Sequence, residues 1–338
     1  NKYCCGKRKT EFYKLFEIYI YEVKYMKTLR KVCLLFKDFG ILFAVKYCFL
    51  KKTKQYDKFI KMVYDYLSAY LEDYTNDFND KAQKYTTSII EEKNKNIWVC
   101  WWQGKENMPD FCKMCYNNLM KNTPSEYKIH LITKDNYARY THIPDYIINK
   151  MEQGLIPLTQ FSDILRQNLL LENGGLWIDA SIWVTHDYIF KIDASLPFWS
   201  IKLNGIDDSE VWGQLISECR WGSFILYAGK PGDIVFKYVF GAMCKYYYDH
   251  NSIIDYFLQN MLICIGYDSI DAIRKEIDDV QISNEHLYEL YRVMDKPYNE
   301  QLWKGYSKDT GIFKLTQKRE YSEYIDGKMT FYGYLKTL

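Results

Sequence analysis

The chain has 338 residues, 48% hydrophobic and 26% charged, the composition of a globular protein with room for one large domain or a core domain and an appendage. Its net charge of +2 hides an asymmetry: residues 1–61 hold 16 Lys+Arg against five Asp+Glu, and the rest of the chain holds 29 against 38. This argues against a nucleic-acid-binding protein, whose main face should be basic, and fits a basic arm resting on an anionic surface such as a cytoplasmic leaflet. The ten Cys are scattered, several within apolar runs, the pattern of reduced, buried thiols in a cytoplasmic protein. Cys112-Lys-Met-Cys115 is a lone pair with no second pair of ligands to complete a zinc site. No signal peptide is legible. The longest apolar run, Ile41 to Leu50, contains Lys46 and falls short of the roughly 20 residues a spanning helix needs.

In chain order, residues 1 to about 92 read as helical. Phe12, Phe16, Tyr19, Val23, Met26 and Leu29 recur at spacings of three and four, one face of a helix. Further helices are expected over Val32 to Leu50 and Tyr56 to Asp73, unbroken because Gly and Pro are nearly absent. Two readings stand side by side: a helical bundle packed on the next domain, or an interfacial membrane element in which Lys and Arg flank apolar and aromatic side chains. Composition shifts near Asn94. Ile97 to Trp102 reads as a buried strand ended by Gln103-Gly104, and helix, strand and short helices follow to Met151. A helix from about Thr159 to Glu172 leads to a strand at Leu176 to Ile178 and another at Ile182 to Thr185. Alternating strands and helices signal a parallel sheet with crossover helices, and such sheets bind ligands outside the carboxyl ends of their strands. Trp102 and Asp179 both fall at such ends. Past Ile192 the pattern is mixed, with strands expected at Phe198 to Leu203 and Ser223 to Tyr227, and helices at Gly232 to Tyr248 and Ile253 to Ile265. Two short helices are expected between Asp268 and Asn299, and weak strand signals in the tail from Phe313. The chain thus divides into a basic, aromatic-rich helical extension, residues 1–93, and a main domain, residues 94–338.

The chemistry concentrates in Ser162 to Ser181, SDILRQNLLLENGGLWIDAS. Asp163, Arg166 and Gln167 lie three and four apart and share one helical face. Such an Asp–Arg pair is usually an inconsequential surface ion pair; the Gly174-Gly175 turn and the strand-end Asp179 close behind set this one apart. Asp179 and Ser181, two apart in an extended chain, point the same way. Hard divalent cations such as Mg²⁺ or Mn²⁺ take carboxylate oxygens and substrate phosphates together, so a metal held by Asp179 and Ser181 could neutralise a leaving nucleoside diphosphate. His186 and His250 are each read as ordinary hydrogen-bonded histidines.

The order of these motifs resembles the GT-A glycosyltransferases of family 32, and among them the bacterial capsular polysaccharide synthesis proteins. Trp102 with Gly104, Ser162-Asp163-Ile164-Leu165-Arg166, Gly174-Gly175 and Leu176 to Ser181 carry the likeness. It covers residues 95 to 190 closely and the remainder loosely. The resemblance implies an α/β fold of GT-A type, with a Rossmann-like mixed, mostly parallel sheet flanked by helices behind the N-terminal helical extension. It implies that Trp102, beside Trp101, stacks on the nucleotide base, with Gly104, Gly174 and Gly175 near the donor. Asp163 and Arg166 would contact donor sugar and diphosphate, and Asp179 would take the first acid of a DxD motif. Its second acid, the usual metal ligand, is here Ser181, a weaker ligand with no charge. Lys314, in Phe313-Lys314-Leu315-Thr316, is a cation that could meet the diphosphate, and Asp255 is a candidate for contact with the reacting sugar.

The expected function is transfer of a hexose, with retention, from a nucleoside diphosphate sugar, UDP-linked, to a lipid-linked oligosaccharide in capsule or surface polysaccharide synthesis. The enzyme would sit in the cytoplasm, its N-terminal helices on the anionic inner face of the membrane, with no nucleic-acid partner. Two rivals remain open: a non-catalytic nucleotide-sugar or glycan-binding protein on a transferase fold, and a sugar-phosphate transferase.

Overall fold

A computed structural model describes residues 31–82, 92–205 and 216–338. The apolar face expected over Phe12 to Leu29 lies outside the described residues. The first helical run, α1, covers 31–52, and it is not unbroken: Gly40 has φ +79°, a left-handed conformation glycine adopts without steric cost. A straight helix would hold Lys31 and Lys51 about 30 Å apart, yet both line one cavity, so the run turns at Gly40. Helices α2 (Tyr56–Tyr70) and α3 (Glu72–Ala82) follow, then β1 (Asn96–Cys100), α4 (Asp110–Asn122), β2 (Lys128–Ile132), α5 (Asp145–Glu152) and α6 (Leu158–Asn173). The chain continues through β3 (Gly175–Ile178), β4 (Ile182–Val184), β5 (Phe198–Ser200), β6 (Ile225–Ala228), α7 (Ile234–Asp249) and α8 (Leu258–Ser269). It ends with α9 (Asp271–Asp278), α10 (Glu289–Val293), α11 (Glu300–Asp309), β7 (Ile312–Lys314), the β8–β9 hairpin (Tyr324–Ile325, Lys328–Met329) and α12 (Phe331–Thr337).

The central sheet has the order β2-β1-β3-β6-β5. Strands β1, β2 and β3 run parallel, β6 is antiparallel to β3, and β5 is antiparallel to β6. Four strands therefore point one way and one is reversed. This is the mixed, mostly parallel sheet expected, behind an N-terminal helical region. The short β4 and β7 pair separately, antiparallel, with Lys314 opposite Ile182. Strand β1 stops at Cys100, two residues short of expectation. Trp101 and Trp102 lie past its end, where a turn closes with Gly104 N–H donating to the Trp101 carbonyl at 2.9 Å, while the Trp101 N–H still donates to the Ile132 carbonyl at 3.0 Å. Helix α8 starts five residues later than expected, after the loop at Ser252–Phe257, and helices α11 and α12 fall where no helix was expected.

Trp98, Trp177, Trp199, Phe161 and Tyr238 are almost fully buried between the sheet and its helices. Burying an aromatic or branched aliphatic side chain stabilises a fold by about 1.5–3 kcal/mol, and this core fixes where the strand ends lie. Helix α6 packs along α7, which packs on α8, while α2 and α3 lie against α7 and α8. Tyr74 Oη donates to the Tyr238 carbonyl at 3.0 Å. In α1, Asp38 accepts from the backbone N–H groups of Asn251 and Ser252 at 2.8 and 2.6 Å, and Phe39 stacks on His250 with ring centres 5.1 Å apart. The first helical run is thereby fastened to the loop between α7 and α8.

Candidate functional site

The site opens beyond the carboxyl ends of β1 and β3, where parallel strands leave room for ligands. Asp179 stands just past β3, its N–H donating to the Phe224 carbonyl at 2.9 Å. Its carboxylate gathers the neighbours: Oδ1 accepts from Arg166 Nη2 at 3.2 Å and Trp177 Nε1 at 2.9 Å, and Oδ2 accepts from Lys314 Nζ at 3.0 Å. Lys314 Nζ also donates to Ser181 Oγ at 3.0 Å. Arg166 Nη1 donates to Asp163 Oδ1 at 2.8 Å and to Gln259 Oε1 at 3.0 Å, and its guanidinium lies over the Trp177 ring, 4.8 Å from the centre. Asp163, Arg166, Asp179, Lys314 and Ser181 thus form one hydrogen-bonded chain.

Asp163, Arg166, Asp179 and Ser181 line one side of a cavity of about 330 Å³, also lined by Trp101, Trp102, Tyr256 and Gln317; Lys314 bonds to Asp179 and Ser181 without itself lining it. Trp102 is braced edge-on by Phe161, with ring centres 5.0 Å apart, and tilted against Tyr137 at 5.1 Å. Trp101 is pinned by its Nε1 donating to the Asn107 carbonyl at 3.2 Å. Both rings are partly exposed. Two aromatic faces and the Arg166 guanidinium in one cavity, with the Lys314 ammonium bonded to its lining, suit a ligand with a flat ring and a phosphate chain.

The electrostatics divide the two acids. Burial pushes the Asp163 carboxyl up to about 6, Arg166 opposing it and Asp179 adding to it. Burial pushes Asp179 up as well, but Lys314 and then Arg166 outweigh it and hold the carboxylate below its ordinary range. At neutral pH Asp179 is therefore a fixed anion between two cations, and Asp163 is the acid that titrates closest to neutrality.

The residues expected to hold a divalent cation are engaged by a lysine in this structure. Mg²⁺ or Mn²⁺ takes about six oxygen ligands, of which one or two carboxylates come from the protein and the rest from water and substrate phosphates. Asp179 and Ser181 offer one carboxylate and one hydroxyl, and the Lys314 ammonium already bridges them. Among the described residues no group of three or more His, Cys, Asp or Glu could hold a metal.

Three further expectations are met differently. Gly174 and Gly175 sit at the amino end of β3, about 13 Å of strand away from Asp179, and line no part of the cavity. They are there because two strands crowd the turn. A Cβ on Gly175, at φ +91°, would sit 2.5 Å from the Asn96 carbonyl oxygen, and one on Gly174 would sit 2.6 Å from Asn94 Nδ2. Trp98 Nε1 and Asn94 Nδ2 bind the turn's carbonyls at 2.8 Å. Gly104, at φ +86°, shapes the turn after the tryptophans without lining the cavity. Asp255 is turned away: its Oδ1 accepts from the Phe257 N–H at 3.0 Å, and its Oδ2 meets Lys51 at 3.3 Å. That contact belongs to a neighbouring cavity, whereas Tyr256 lines both. His186 lines a separate cavity, and His250 is buried between Phe39 and Tyr246. The described cysteines are free. Cys112 lines the site, but burial pushes its thiol up to about 11, so it stays protonated.

Trp177, Gln259, Tyr256 and Gln317 were not foreseen. Trp177 had a signal, since it lies two residues before Asp179 on one strand face. Tyr256 and Gln317 reach the cavity, and Gln259 reaches Arg166 behind it, from distant loops and helices with no local pattern to mark them.

Over an aligned stretch of 95 residues the chain is 26% identical to the O-glycosyltransferase braB of Annulohypoxylon truncatum, covering 26% of this chain and 23% of that protein. The chain therefore spans about a quarter of the curated relative it matches. The likeness to a protein named as an O-glycosyltransferase is confined to that stretch. Residues 46–335 match the family model for capsular polysaccharide synthesis protein. That is most of the chain, and the protein belongs to this family.

Proposed function

We propose that this protein is a retaining hexosyltransferase that uses a nucleoside diphosphate sugar, UDP-linked, and a lipid-linked oligosaccharide acceptor at the inner face of the membrane. One observation carries the reading: Asp163, Arg166 and Asp179 share a single cavity with the Trp101–Trp102 pair at the carboxyl ends of β1 and β3, and Lys314 bonds to Asp179 beside it. The base stacks on the tryptophans, and Arg166 and Lys314 face the diphosphate. An acceptor hydroxyl oxygen bonds to the anomeric carbon as the bond from that carbon to the diphosphate oxygen breaks. The bonding pair leaves with the diphosphate, and the hydroxyl proton follows to a diphosphate oxygen on the same face, which retains configuration. Lys314 and Arg166 stabilise the charge that develops on the leaving group, in a partly desolvated site where such contacts are strong. Asp179 keeps both cations in place.

The membrane reading is supported by α1. Ile41, Leu42, Val45 and Phe49 are exposed on one side of it, Leu42 by 85%, and Lys37, Lys46 and Lys52 are exposed nearby. Apolar side chains ringed by Lys are the composition of an interfacial helix. No helix among the described residues is long and apolar enough to cross a membrane.

The test is UDP release from a panel of UDP-sugars in Mn²⁺, Mg²⁺ or EDTA. We expect release from one sugar, undiminished by EDTA, and a loss of at least about a hundredfold in Asp179→Ala and Lys314→Met, the scale of removing one oxyanion contact. Strict dependence on Mn²⁺ would refute the role given to Lys314. Tight UDP binding without release, with or without acceptor, would leave the non-catalytic sugar-nucleotide-binding protein, which Ser181 in place of an acid favours. Release of UMP would point to a sugar-phosphate transferase.

A further inference from the structure

A second cavity, of about 470 Å³, lies between α1, the loop joining α5 to α6, and the loop carrying Asp255 and Tyr256. It shares Thr159 and Tyr256 with the cavity of the tryptophans, so ligands filling the two would meet at Tyr256.

The chemistry of this second cavity is specific. Two ammonium groups, Lys31 and Lys51, line it together with a single carboxylate, Asp255. Lys51 contacts Asp255 at 3.3 Å and lies over the rings of Tyr47 and Phe59, 4.8 and 4.6 Å from their centres. Asp255 also accepts from the Phe257 N–H, and its single charge balances at most one of the two cations. Lys31 makes no ion pair among the described residues, and burial, with Lys51 next, pushes its ammonium below its ordinary range. A partly desolvated cation beside a like charge is a standing electrostatic cost that an anion relieves. Tyr47 also lines the cavity, with only 4% of its surface exposed. Its hydroxyl makes no well-formed hydrogen bond among the described residues and interacts with the Lys51 ammonium alone, so an acceptor placed between the lysines would also complete it. The rest of the lining includes Leu34, Leu155, Pro157 and Ile253, a wall for an apolar group. The same α1 that carries Lys51 carries the exposed Ile41, Leu42, Val45 and Phe49.

We propose that this cavity is the acceptor subsite, and that it binds an anionic phosphate or diphosphate head on an apolar, isoprenoid-like tail. The phosphate sits between Lys31 and Lys51 within reach of Tyr47, the tail leaves along α1 towards the bilayer, and the attached sugar points past Tyr256 to the donor. The naming of this ligand as the acceptor rests on the glycosyltransferase reading; the binding of a phosphorylated lipid does not.

The test uses the full chain, with farnesyl diphosphate as probe and inorganic pyrophosphate and farnesol as its two halves. Binding is followed by calorimetry, and UDP binding is measured in parallel. We expect farnesyl diphosphate to bind tighter than either half, and Lys31→Met with Lys51→Met to weaken it by at least about tenfold, as loss of charge-assisted contacts does. UDP affinity should stay within about twofold, for the tryptophan cavity is untouched. The single variant Lys31→Met, at the rim of the cavity, keeps the test open should Lys51→Met melt early. Equal farnesyl diphosphate binding in wild type and variants would overturn the proposal. So would pyrophosphate binding as tight as the farnesyl compound, which would assign the site to a free diphosphate. Lysine-dependent farnesyl diphosphate binding in a protein that does not bind UDP would uphold this cavity and sink the glycosyltransferase reading instead.

Discussion

Asp163 and Asp179 flank one guanidinium, yet their surroundings drive them apart. Asp179 has Lys314 as a second cation and is held below its ordinary range. Asp163 has Arg166 alone against burial and is pushed up to about 6. Below pH 6 Asp163 gains a proton, and Arg166 loses one of its two carboxylate partners. The pH profile of kcat/KM should therefore fall on the acid side with an apparent value near 6, and Asp163→Asn should flatten that limb while lowering the plateau. The stability linkage runs the other way. The folded state holds this proton more tightly than the unfolded chain, whose value is 3.8, so its contribution is fully present below about 3.8 and is lost as pH rises through about 6. A melting temperature that drops in step with activity as the pH is lowered through 6 would mean acid unfolding and would refute the titration.

The strand and helix that carry the site depend on a turn remote from it. Helix α6 must end and β3 begin within two residues, pressed against Asn94, Asn96 and Trp98. Gly174 and Gly175, at φ +64° and +91°, do this with no side chain. Gly175→Ala would add both a strained backbone and a Cβ 2.5 Å from the Asn96 carbonyl oxygen. We expect a loss of at least about 2 kcal/mol, read as a lower urea midpoint with UDP affinity little changed among molecules that remain folded. An unchanged midpoint, or a specific loss of UDP affinity at full stability, would restore these glycines to the ligand. The short β4–β7 pair acts differently, since its register sets Lys314 beside Ser181.

At the scale of the whole molecule, the helices before β1 and the sheet domain share a packed interface. Asp38, Phe39 and Lys51 tie α1 to the loop of Asn251 to Asp255, so anything that positions α1 also positions the second cavity. If α1 rests on a bilayer, its apolar face must enter the headgroup region. Leu42→Glu with Phe49→Glu should then lower binding to vesicles containing about 30% anionic lipid by at least about tenfold, with binding also weakened by salt. Measured by flotation, equal binding of the variant would exclude this face from the membrane contact, and equal binding to neutral vesicles would exclude the charge term.

What the sequence determined by itself is what repeats or turns locally. The face of α6 bearing Asp163 and Arg166 follows from side chains three and four apart. The end of β3 at Asp179 follows from a short apolar run, and the mixed α/β order follows from alternating periods. Tertiary structure alone decided who meets whom. Lys314 reaches Asp179 across 135 residues, Gln259 reaches Arg166 across 93, and Lys51 reaches Asp255 across 204. Those meetings depend on strand order, on the pairing register of β4 with β7 and on the turn at Gly40, which leave no period in the chain. Conversely, Asp255 and the two glycines had local patterns that suited a ligand, and packing turned them to other uses. A sequence pattern specifies which way a side chain points on its own element; only the packing of that element decides what lies opposite.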